Sequence, residues 1–154
     1  MQLLATAYCT IEHDLSRSLV RLTRNAVPYR TIEELDGEIA VIGTVLDGVK
    51  GQWRLLVDLR SVPLRNDPAF EAASARLRDR MFRHASRIAL VVKTAVGALQ
   101  VKRHVREDHV DAEVFDDERL AMNYLLRPPS VGTSRRRSYM PTSGYVLVQQ
   151  GRRF

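Results

Sequence analysis

The feature that most constrains the fold is a repeated unit: a short, nearly continuous apolar run, then a helix-start signal, then an apolar stripe at helical spacing. Residues 54–59 read Arg-Leu-Leu-Val-Asp-Leu and residues 87–92 read Arg-Ile-Ala-Leu-Val-Val. Runs this short that do not alternate apolar with polar are the mark of strands covered on both faces. Asp67-Pro68 follows the first run. Proline at a first helical position loses no needed hydrogen bond, and aspartate before it caps the free amides. Phe70, Ala73, Leu77 and Met81 then draw the stripe of a helix. Thr94 follows the second run and opens a helix to about residue 107, with Ala98, Val101 and Val105 on one side.

The same grammar extends in both directions. Thr31 and Glu34 form a capping box, in which each side chain serves the other's backbone amide. Ile32, Leu35, Ile39, Ile42, Leu46 and Val49 recur three or four apart behind it, and Gly48 and Gly51 end the helix. Residues 112–115 predict a last strand, and Asp116 or Asp117 caps a closing helix with Leu120, Tyr124 and Leu125. At the N-terminus, residues 3–11 and 18–24 predict two strands joined by a polar turn over 12–16, an antiparallel hairpin. The prediction is an α/β domain over residues 1–126: a mixed, mostly parallel sheet of about five strands with an N-terminal antiparallel hairpin and about four helices.

Beyond residue 126 the periodicity stops. Pro128, Pro129, Ser130, Gly132, Thr133 and Ser134 precede an arginine triplet, so residues 127–154 are expected to be a basic, flexible tail. The formal net charge is +6, and that segment holds six arginines and no acidic residue, which leaves the 1–126 body formally neutral. A broad basic face for nucleic acid on the body is thereby disfavoured. Arg135, Arg136 and Arg137 offer at most a weak contact to nucleic acid or another anionic surface. No segment approaches the roughly 20 apolar residues that span a bilayer. Cys9 is the one cysteine and the N-terminus lacks the features of a signal peptide, so a cytoplasmic protein is expected.

Leu-Leu-Val-Asp-Leu-Arg-Ser-Val at 55–62, leading through a loop to Asp67-Pro68, resembles the STAS family of anti-sigma-factor antagonist domains, with the SpoIIAA-like fold. The resemblance covers about residues 3–126. It implies a non-catalytic regulatory module in the cytoplasm, working in signalling by protein–protein interaction with a regulatory partner. It also implies a loop serine that a partner kinase phosphorylates. Here Asn66, Asp67 and Pro68 stand where Asp, Ser and Ser or Gly belong, and Ser61 lies too early in the loop. The usual phosphoserine switch is therefore expected to be missing, with Asp67 acting as a helix cap.

The resemblance places partner docking on the loop 60–67 and the following helix: Arg60, Ser61, Arg65, Asn66 and Asp67, then Arg76, Arg80 and Arg83 on one helical side. The residues themselves support a second reading, a small-molecule, nucleotide or lipid site in the crevice at the strand C-terminal ends near Asp58, Arg60 and Thr94. No catalytic set is evident. Gly43, Gly48 and Gly51 form no phosphate-binding pattern and no Gly-Lys-Ser/Thr occurs, so no cofactor is expected. His104 and His109, beside Glu107 and Asp108, do not share a helix face and predict a solvated helix end in place of a metal site. Cys9 lies inside a strand and is expected to be a buried, inert thiol.

Overall fold

Among the described residues, six strands lie side by side in the order in which the chain makes them. The computed structural model describes residues 1–63, 65 and 67–128. β1 (Gln2–Ala5), β2 (Cys9–Asp14) and β3 (Leu19–Arg24) are antiparallel neighbours. β4 (Arg54–Asp58), β5 (Ile88–Val91) and β6 (Ala112–Phe115) continue the sheet parallel to β3. The crossovers carry α1 (Ile32–Asp47), α2 (Pro68–Phe82) and α3 (Ala95–Glu107), and α4 (Glu118–Leu126) follows the last strand. The mixed α/β architecture is the one expected, with six strands in place of about five.

The extra strand comes from a break inside residues 3–11. Thr6 Oγ1 accepts from the backbone amides of Tyr8 and Cys9, both at 3.1 Å, and donates to Glu38 at 2.6 Å. A threonine hydroxyl that takes over backbone amides turns the chain, which splits one apolar run into β1 and β2. The next turn also falls later than 12–16. β2 pairs with β3 as far as Asp14, whose carboxylate accepts from Ser16 Oγ at 2.6 Å, and Ser18 closes the turn at φ 48°.

The four helix caps read from the sequence form, the last of them at Asp117, which accepts from Arg119 N. Thr31 accepts from Glu34 N, Asp67 from Ala69 N and Phe70 N, and Thr94 from Gly97 N. α1, α2 and α3 pack over one face of the sheet, where Val20, Leu22, Leu55, Val57, Ile88 and Leu90 form the main core. α4 covers the other face through Ala121 and Leu125 against Leu19, Leu56, Ala89 and Val91. Leu55, Leu56 and Val57 are all fully buried, which is why that run shows no alternation. Each such side chain contributes about 1.5–3 kcal/mol relative to exposure.

Candidate functional site

A crevice of about 480 Å³ opens between α2, α3 and the sheet. Val57 and Leu90 form its floor, Leu77 and Met81 one wall, and Val101 and Val105 the other. Its origin is uneven helix packing. α2 lies close on α1, where Arg80 packs directly over Gly43, a position at which any Cβ would displace the guanidinium. α3 sits apart: Gly97 is its single buried residue among those described. The α2–α3 seam is bridged at its rim by polar contacts, Arg103 to Glu71 at 2.9 Å and Arg78 to Asp108. The ion pairs span the rim, and the space beneath them is unfilled.

Two groups in the crevice wall are both polar and buried. Arg24, at 7% exposure, lays its guanidinium over the Tyr29 ring at 4.5 Å from the centroid and donates to the Tyr8 carbonyl at 2.8 Å. The Tyr29 hydroxyl is buried and has no hydrogen-bond partner among the described residues. Burial pushes its pKa up from the ordinary phenol value, so it is a neutral donor. At the mouth, Arg65 stacks on Phe70 at 3.3 Å, donates to the Tyr29 carbonyl at 2.8 Å and pairs with Asp67 at 2.9 Å. His104 also lines the crevice. Burial, then the nearby Arg78 charge, lowers its pKa and favours the neutral imidazole.

Asp58 does not reach this crevice, although the sequence placed it there. Side chains alternate along a strand, so Val57 faces α2 and α3 while Asp58 faces α4. There it meets Arg60 at 2.7 Å and Arg21 at 3.2 Å, and both arginines also pair with Glu118 at the start of α4. The Arg60 hydrogen bonds, opposed by partial burial, hold the Asp58 pKa below its ordinary value. Hydrogen bonding from Arg21 does the same for Glu118. Arg60 and Thr94 do line the crevice mouth.

The residues assigned to docking divide. Ser61 and Arg65 are exposed in the loop and Asp67 caps α2, whereas Asn66 lies outside the described residues. Arg76 pairs with Asp36 at 2.7 Å and Arg80 with Asp47 at 3.0 Å, so two of the three helix arginines are held by α1. Arg83 pairs within its own helix with Asp79 at 2.9 Å. The arginines at 135–137 lie outside the described residues. No group of metal-ligating side chains occurs among the described residues. His104 faces the crevice and His109 terminates α3, so the predicted solvated helix end is only half right. Cys9 is buried, and burial with the Glu38 hydrogen bond pushes its thiol up to about 12.

Arg24 and Tyr29 were missed as site residues. The alternation of residues 18–24 puts Arg24 on the face of Val20 and Leu22, a charged group on a buried stripe, which was the available signal.

No family model matches the chain, and no curated protein matches it. Among solved structures it is similar to an uncharacterized DUF3478-family protein with a SpoIIAA-like fold from Shewanella loihica PV-4. The TM-score is 0.57 at 13% identity, over 79% of this chain and 98% of that one. No described helix is long and apolar enough to cross a membrane. A likeness at this identity speaks for the backbone path, and with the strand order and crossovers above it gives one conclusion: the chain has the SpoIIAA-like fold that the residues at 55–62 suggested.

Proposed function

We propose that the domain is a non-catalytic binding module that takes an apolar small molecule into the crevice between α2, α3 and the sheet. The observation that carries this reading is the crevice itself, about 480 Å³ and walled by Val57, Leu77, Met81, Leu90, Val101 and Val105. Its size falls within the roughly 300–1,000 Å³ of small-molecule sites, and its make-up of apolar walls with a few buried polar groups is theirs as well. Left unfilled, such walls forgo the contacts that a packed core would supply.

Docking of a regulatory protein on the loop and α2 has less behind it. Arg76 and Arg80, two of the residues it needs, are engaged by Asp36 and Asp47 of α1.

Titration with the fluorescent hydrocarbon-like probe N-phenyl-1-naphthylamine tests the reading. Saturable enhancement is expected from the unaltered chain, and Val101→Trp, which places an indole in the crevice wall, should abolish it with the fold retained by circular dichroism. Absence of saturable binding, or equal binding by the folded variant, would overturn it.

A further inference from the structure

We infer that acid empties the crevice through His104: a proton on its imidazole puts a charge in a wall that an apolar ligand has to cover. The inference rests on the crevice reading above and names how that site is regulated.

His104 lies one helical turn after Val101 and next to Val105, so it belongs to the stripe of α3 that walls the crevice. Its side chain is 14% exposed. While the crevice is empty, water can solvate an imidazolium in its wall. A ligand that fills the space displaces that water, and a charge left under apolar surface costs far more than a neutral ring does. A ligand that binds the neutral form better must weaken as pH falls, by up to about tenfold per pH unit for a single proton.

The charges around the ring decide whether such a proton is compensated. Arg78 and Glu71 act on it from α2, and Arg103 and Glu107 from its own helix. Glu71 is paired with Arg103 at 2.9 Å, and Arg78 with Asp108. Glu107 comes within 3.7 Å of Nδ1, but its side chain is 59% exposed and water with dissolved salt screens its pull. The strand ends and loops add Arg24, Arg60, Arg65 and Lys93 to the crevice lining, in which Glu71 is the one carboxylate among the described residues. The balance is against an imidazolium. Burial, then Arg78 and Arg103, accordingly hold the His104 pKa below its ordinary value, so the ring is neutral and the crevice receptive at neutral pH.

The test follows N-phenyl-1-naphthylamine binding to the full chain from about pH 8 to about pH 5, the range in which histidine is the side chain that ordinarily titrates. Circular dichroism at each pH checks that the fold is kept. Affinity should be constant at the alkaline end and fall by up to about tenfold per unit below the His104 pKa. His104→Gln, which carries no proton to gain, should hold one affinity across the range, and His104→Leu takes its place if that variant does not fold. Proton NMR of the imidazole gives the reciprocal reading. Saturating probe should lower the His104 pKa, because coupling between two binding events acts equally in both directions. An affinity indifferent to pH, a decline that persists in the His104 variant, or an imidazole pKa that the probe leaves unmoved or raises would overturn the inference and leave the crevice reading intact. Absence of saturable binding at the alkaline end would remove the crevice reading itself.

Discussion

His109 ends α3 in the left-handed region at φ 54°, where a side chain is strained and glycine is not. Its amide donates to the Arg106 carbonyl at 3.2 Å, and the next amide, Val110, reaches back to Val105 at 3.2 Å. These two bonds are the pair that closes a helix with a left-handed residue, so the backbone of His109 has the role and its imidazole does not. Replacing His109 with glycine should raise stability by about 0.5–1 kcal/mol, read as a higher urea midpoint with an unchanged slope. A lower midpoint would show that the imidazole contributes after all. The composition around His104 and His109 made a metal cluster worth weighing, and geometry separates the two rings by role. His104 and Arg24 teach a related lesson: both sit on stripes whose neighbours are apolar, and periodicity alone places them against the core.

α1 and α3 are both crossover helices on the same face, yet they are packed very differently. α1 buries Leu35, Glu38, Ile42, Gly43 and Leu46, whereas α3 buries Gly97 and leaves Val96 and Leu99 65% and 69% exposed. Few buried contacts mean a low free energy of local opening. Amide hydrogen exchange should therefore be faster along α3 than along α1, and saturating N-phenyl-1-naphthylamine should slow it in α3. Uniform protection of both helices would contradict this ranking. The stripe of Ala98, Val101 and Val105 was legible in the sequence, as were all four caps. How far α3 stands from α2 was not. The contacts that bridge the seam, Glu71 with Arg103 and Asp108 with Arg78, join residues about thirty apart in the chain.

Among the described residues the sheet has two unlike faces, one under three helices and one under α4. α4 is fastened at its start by the Arg21, Arg60, Asp58 and Glu118 cluster and at its end by Arg87, which donates to the Tyr124 carbonyl at 2.9 Å. Asp58 and Glu118 have pKa values lower in the folded chain than their ordinary ones. Their contribution to stability is thus complete above the ordinary carboxylate range and is lost as pH falls through the lowered values. The thermal midpoint should decline as pH is taken from neutral to below the ordinary carboxylate range. Glu118→Gln, which lacks one of these titrations, should start lower at neutral pH and decline less. Parallel curves for the two proteins would show that the cluster does not set the acid limb.

By itself the sequence determined the order of the crossover elements, the four caps and the buried central strands, because capping and periodicity are local properties that a few neighbouring residues express. It also carried the SpoIIAA-like likeness, which rests on one strand and its loop. Only the tertiary structure decided that Thr6 splits the first strand, that Asp58 faces α4, that α1 holds Arg76 and Arg80, and that a crevice with Arg24 and Tyr29 in its wall lies beneath α3. Apart from the Thr6 turn, whose hydroxyl takes amides only two and three residues on, each of these depends on which side chains meet after the sheet has formed, and the partners of such a contact are far apart in the chain.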